Sequence, residues 1–230
     1  AADYAYAEIN LNCGCPSDRV QNGMFGAIMM KDAKTTAACV SAMRNAVDLP
    51  ITVKHRIGVD DHDSYAFLTD FVGTVAEAGC DVFLVHARKA WLQGLSPKQN
   101  REIPELNYAH VYQLKKDFPH LEIIINGGVT TLAQCQEHLH NLDGVMIGRE
   151  AYSNPYLLAN VDQQLYKSSN PVKTREQIAE EFLIYVEKEL TKGTKLSAMT
   201  RHILGLFHGM PGARLFRRHI SENVFKPSAT

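Results

Sequence analysis

The stretch Asn10-Leu11-Asn12-Cys13-Gly14-Cys15-Pro16-Ser17 sets a cysteine directly before a proline, just past an apolar, strand-like start. A thiol in a loop at a strand end is placed to meet a pocket. A buried packing cysteine is the plainer alternative. Zinc fits poorly. One residue between Cys13 and Cys15 is a short gap for two ligands, and no second Cys/His pair stands at finger or ribbon spacing. A thioredoxin-type pair needs two residues between its thiols. The residue types leave a structural thiol or a reactive one.

Lys54 and His86 each close an apolar run, Ile51-Thr52-Val53-Lys54 and Phe83-Leu84-Val85-His86. Singly, each has an ordinary reading: a snorkelling lysine, a satisfied histidine. On successive strand ends, with Cys15 at the end of the preceding strand, they would converge on one mouth. Three titratable side chains round one pocket is the pattern of a catalytic or cofactor site. Asn126-Gly127-Gly128 and Gly144 to Arg149 follow the last two runs. Glycine lets backbone N–H groups approach an anion closely, and Arg149 adds a fixed charge with a fork of donors. Tight turns would explain either alone. Two in succession favour a phosphate grip.

The elements that must position these residues alternate. Apolar runs near 7–12, 51–55, 81–86, 122–126 and 144–148 predict five strands, and helical patterns lie near 34–46, 64–78, 107–117 and 131–140. Val82 to Val85 and Ile123 to Ile125 read as strands buried on both faces of a parallel sheet. Strand–helix alternation predicts an α/β fold. Polar and glycine-bearing residues cluster after each strand, as in a TIM-type (β/α)8 barrel. A barrel needs eight strands, so five imply an N-terminally truncated barrel holding about its last five, which suits a chain that begins without Met. A complete five-stranded doubly wound sheet is the competing arrangement.

From about residue 161 the pattern is all helical. The expected organisation is a partial barrel over 1–160, a linker over 161–173 and a small helical domain over 174–230. Thr174-Arg175-Glu176-Gln177 is a capping box, Gly193 stops the helix, and more helix is expected near 195–206 and 211–223.

At 230 residues and 45% apolar, the chain can bury a sizeable core, and its net charge of −1 names no partner. The charges are segregated, however. From Thr191 onward there are seven Lys/Arg against the single acid Glu222, and Arg88, Lys89, Lys98 and Arg101 fall in a stretch, 87–101, without any acid. Arg214, Arg217 and Arg218 share one helix face by their spacing. Two basic patches point to a polyanion, most commonly nucleic acid. Trp91 and Tyr108 flank the first patch and could stack on bases or serve as core. Five cysteines at no framework spacing suit a reducing, cytoplasmic setting. No apolar run reaches transmembrane length. No metal and no partner subunit are expected.

These pieces together resemble the tRNA-dihydrouridine synthases, A-type subfamily. The matching segments are Glu8 to Ser17, Asp18 to Gly23, Val53-Lys-His-Arg-Ile-Gly58, Val85-His-Ala-Arg-Lys-Ala90, Ser96-Pro97 through Arg101, Asn126 to Gly128 and Val145 to Arg149. They run in family order along the whole chain. The resemblance implies a flavin-bearing barrel with FMN, NADPH as reductant, and tRNA as substrate and partner. It implies reduction of a D-loop uridine, around position 20, to 5,6-dihydrouridine, with a hydride delivered to C6 and a proton to C5. By resemblance Cys15 is the proton donor and Asn12 touches the flipped base. Lys54 and His86 match flavin contacts. Asn126, Gly127, Gly128, Gly148 and Arg149 match the FMN phosphate site. Lys98, Arg101, Arg214 and Arg217 match tRNA contacts. Two departures follow. The family's first strands are absent, and Cys13 occupies the variable position of the signature as a second thiol near the site. A small-molecule FMN oxidoreductase of the dihydroorotate dehydrogenase type and an inactive tRNA-binding fragment are the rival readings. A small substrate would not need the basic helices.

Overall fold

The computed structural model describes residues 4–17 and 23–226. Of the matching segment Asp18 to Gly23, residues 18–22 lie outside the described residues. The apolar runs form five parallel strands: β1 (Ile9–Cys13), β2 (Ile51–Arg56), β3 (Val82–His86), β4 (Glu122–Asn126) and β5 (Gly144–Met146). Helices α1 (Ala33–Ala46), α2 (Tyr65–Glu77), α3 (Tyr108–Asp117) and α4 (Leu132–Leu139) alternate with them. Side chains start all four of these helices: Asp32 accepts from Thr35 N, Ser64 from Phe67 N, Asn107 from His110 N and Thr131 from Gln134 N.

The strands lie in sequence order, β1-β2-β3-β4-β5. A doubly wound sheet reverses its strand order at a switch point, and this sheet has no reversal. The order is that of a barrel wall. The register aligns Asn12 with Lys54, Cys13 with His55, and Arg56 with His86 and then Asn126. Because side chains alternate along a strand, these rows divide the sheet's chemistry between two faces. Val53, Phe83 and Ile123, with His55, Val85 and Ile125 in the next row, face a core closed by Val40, Leu68, Phe71, Val75, Val111 and Leu114 of the helices. The opposite face carries Asn12, Lys54, Arg56, His86 and Asn126. Ile124 on that face is only half-buried, unlike Ile123 and Ile125. The expectation of burial on both faces therefore holds for β3, where Leu84 is buried as well as Phe83 and Val85, and is corrected for β4.

The chain divides into two compact units, one of residues up to 129 with 137–146, the other of 130–136 with 147 onward. The second unit contains α5 (Arg149–Ser153), α6 (Val161–Tyr166), α7 (Arg175–Leu190), α8 (Leu196–Thr200) and α9 (Ala213–Asn223). Thr174 and Gln177 form the expected capping box. Two local expectations need correction. The stretch read as linker begins with α6, which ends where Lys167 takes a left-handed φ of 56°. The helix expected over 195–206 stops at Thr200, and turns follow. Glycine is a poor helix former, and Gly205 packs so closely that a Cβ there would collide with the Ser153 carbonyl oxygen. Arg175 donates to the Leu206 carbonyl (3.0 Å) and lies 3.7 Å over the Tyr156 ring, tying α7 to these turns. No helix among the described residues is long and apolar enough to cross a membrane.

Candidate functional site

Cys15 owes its position to Asn12. The Asn12 Oδ1 accepts from the Gly14 and Cys15 amides at 3.0 and 3.1 Å, an Asx-type turn that bends the chain out of β1. The Cys15 carbonyl is in turn bound by Ala27 N (2.8 Å). The Cys15 thiol is half-buried and donates to Ser17 Oγ (3.4 Å). With Oδ1 spent on the loop, any base contact from Asn12 would come from its amide nitrogen. Cys13 behaves differently. It is fully buried in the core, where desolvation, with the Cys39 and Cys80 thiols nearby, pushes its pKa up to about 12. The expectation of a second thiol near the site is thus corrected, because Cys13 points to the helix-covered face.

Lys54 and Arg56 share the other face at the end of β2. Burial, then the neighbouring Arg56 charge, pushes the Lys54 pKa down to about 8. Arg56 is buried and its hydrogen bonds go to backbone carbonyls: Nε to Gly14 (3.1 Å), Nη1 to Asn100 (2.8 Å) and, more weakly, to Lys89 (3.4 Å). Its pKa falls to about 10, through burial first and then the Arg101 and Arg88 charges, the Cys15 side chain acting in the opposite sense. A guanidinium held by neutral carbonyls among other cations is a focus of positive potential suited to an anionic or carbonyl-rich ligand. Sequence reasoning set Arg56 near Cys15, within the matching segment Val53 to Gly58, but gave it no binding role. The available signal was its period-two spacing from Lys54 at the same strand end. His55, between them, belongs to the core. Its ring packs on Phe71 and Phe83, Nδ1 donates to the Arg56 carbonyl (2.6 Å), and burial lowers its pKa to about 4.

His86 is buried beside the Gly127-Gly128 turn. Gly127 has φ +114° and Gly128 φ +73°. A Cβ on Gly127 would lie 2.8 Å from His86 Cδ2, so the backbone there can approach only because side chains are absent. Tyr108 Oη donates to the Gly127 carbonyl (2.8 Å), and its ring stands edge-on to His138 at 4.7 Å. The tyrosine is therefore a brace for the glycine turn, and base stacking by its ring has no support here. The Asn126 amide nitrogen donates to the Met146 carbonyl (2.8 Å), which ties the turn to β5. The structure thus places Cys15 just after β1, His86 at the end of β3 and Lys54 one row inside the end of β2, where Arg56 is the residue aligned with His86.

Lys98 and Arg101 are exposed on the single 3-10 turn that follows β3's loop, Lys98 at its N-cap and Arg101 within it. A hollow of about 550 Å³ opens between Pro16 and residues Leu92 to Pro97, next to Cys15 in the chain. In the second unit Gly148 caps α5 and Arg149 is its first residue. Arg214 and Arg217 are exposed on α9, while Arg218 pairs with Glu222 (2.7 Å). Among the described residues no group of three or more His, Cys, Asp or Glu side chains is placed to hold a metal ion.

A model of the dihydrouridine synthase family matches residues 1–229. The chain is 63% identical over 230 residues to a tRNA-dihydrouridine(20/20a) synthase of Vibrio cholerae, covering all of this chain and 70% of that protein. It is 59% identical to the Shewanella oneidensis protein of that name, covering 68% of it. It is 57% identical over 225 residues to the one from Escherichia coli K12, covering 97% of this chain and 65% of that protein. The chain belongs to the dihydrouridine synthase family.

Proposed function

We propose that this chain reduces a uridine of tRNA to 5,6-dihydrouridine, at position 20 of the D-loop or its neighbour, with FMN as the flavin and NADPH as the reductant. The observation that carries the reading is the loop bearing Cys15, hung from a buried arginine at strand ends that also present Lys54 and His86. A flavin fits these residues. The left-handed turn at Gly127 and Gly128 can present backbone amides to a phosphate, and the Lys54 and Arg56 charges suit a ring edge rich in carbonyls.

The bound reduced flavin would supply the hydride for C6 of the uracil ring. Cys15 delivers the proton to C5 as general acid, so its thiol is protonated before the step. Asn12 holds the Cys15 amide and with it the direction of the thiol. Lys54 and His86 bind the flavin, Gly127 and Gly128 present amides to its phosphate, and Gly148 and Arg149 are assigned the same role. The target base leaves the RNA stack to be reached. Lys98, Arg101, Arg214 and Arg217 hold the tRNA through phosphates, which makes binding steeply salt-dependent. The exposed arginines favour this substrate over a small acid. A reducing compartment and a monomeric state complete the proposal.

The test is direct. The purified chain should show flavin absorbance and convert uridine in tRNA transcripts with NADPH. A colourless chain that still shifts tRNA in a gel would leave only a binding fragment. A flavin-bearing chain that ignores tRNA but reduces a free pyrimidine would favour the small-molecule reading.

A further inference from the structure

The basic loop after β3 is organised round one side chain. Asn100 is fully buried. Its Oδ1 accepts from Trp91 N (2.7 Å), and its Nδ2 donates to the carbonyls of Trp91 (2.9 Å), Leu95 (3.2 Å) and, more weakly, Ser96 (3.4 Å). Both donors of the amide are spent on the backbone of its own loop. Lys98 and Arg101 flank it. The main-chain carbonyl of Asn100 then accepts from Arg56 Nη1 (2.8 Å), and Arg56 Nε donates to the carbonyl of Gly14 (3.1 Å), the residue before Cys15.

We propose that Asn100 is a positioning residue that ties the basic loop to the Cys15 loop through Arg56. Loop placement and thiol presentation are then parts of one hydrogen-bonded unit. The proposal rests on the reading of Cys15 as the acid and of the loop as facing RNA. Asn100, Arg56 and Gly14 are buried and Cys15 is half-buried. Moving one would leave polar groups unpaired, which is why displacement is transmitted instead of absorbed. A merely local staple would stabilise residues 91–100 and nothing else.

The test uses the full chain carrying Asn100→Ala or Asn100→Asp. The aspartate keeps the size and the acceptor for Trp91 N–H but has no donor for the three carbonyls. Two quantities are read: the rate at which iodoacetamide alkylates Cys15, resolved by peptide mass, and amide hydrogen exchange along the chain. Both variants should alkylate about threefold faster or more. Exchange should rise at Gly14 and Cys15 as well as over 91–101, while Val53, Val85 and Ile123 keep their protection. Arg56→Lys should raise alkylation similarly, and the double variant should add little, as members of one network do. Exchange confined to 91–101 with unchanged Cys15 alkylation would overturn the proposal. So would loss of protection throughout the strands, which would make Asn100 a general stability residue. Neither readout needs turnover, so failure of the proton-donor reading, seen as retained activity in Cys15→Ala, is a separate result.

Discussion

The backbone of Gly127 lies against the His86 imidazole so closely that a Cβ would stand 2.8 Å from Cδ2. The same residue has φ +114°, a region that side chains disfavour. Gly127→Ala therefore combines backbone strain of about 1–2 kcal/mol with a clash at His86. The melting temperature should fall by roughly 2–8 °C. Flavin affinity should drop about tenfold or more, as read by fluorescence titration. A variant that keeps both would remove this turn from the phosphate grip.

Cys15→Ala should leave NADPH-driven flavin reduction intact and abolish tRNA reduction. Cys13 will not rescue it, because that thiol is fully buried in the core with a pKa near 12. Cys13→Ala should retain activity within about twofold while losing roughly 1 kcal/mol of stability from the smaller side chain. Single-turnover assays and urea melts on the two variants separate the roles. Equal activity losses in both would contradict the division of the thiols.

His55 makes stability fall in acid. Its folded pKa of about 4 lies below the ordinary 6.5, so between these values the unfolded chain binds a proton that the folded chain refuses. Its contribution is complete above pH 6.5 and is lost as pH falls towards 4, by up to ~3 kcal/mol. Urea midpoints from pH 7 to 4.5 should show the slope. His55→Leu should flatten this part of it, starting from a lower stability because the Arg56 carbonyl loses its donor.

Lys54 makes ligand binding fail in base. Its charge is present below a pKa of about 8 and is lost above it. Flavin affinity should decline as pH rises through this value, with the midpoint displaced upward in the bound form. Lys54→Met should bind more weakly at pH 7 and lack the decline between pH 7.5 and 9. Titration of the free flavin over the same range serves as the control.

Arg214 and Arg217 are exposed, and no acidic side chain pairs with them among the described residues. Replacing both by alanine should lower the slope of log K against log salt by about 2 and weaken tRNA binding without changing flavin content. An unchanged slope would take this helix face out of the RNA contact.

Much of the fold was legible because its signals are local. The apolar runs near 51–55 and 81–86, the capping box at Thr174 and the glycines after β4 each act within a few residues. Arg56, Tyr108 and Asn100 were not legible as site-builders. Arg56 meets its partners 42 and 44 residues away, and Tyr108 meets Gly127 across 19. No spacing rule reaches that far.

The two cysteines of Asn12-Cys13-Gly14-Cys15 mark the boundary most clearly. By itself the sequence determined the α/β alternation, the motif order and the membership of a family. It left both thiols near the site, since residues two apart on a strand share a face. Tertiary structure decided otherwise. The helices cover the face that takes Cys13, while the Asn12 turn ends the strand's alternation there and Arg56 draws Gly14 aside. Which face is covered, and where alternation stops, depend on packing and hydrogen bonds between distant segments. Those bonds separate the buried thiol from the one offered as an acid.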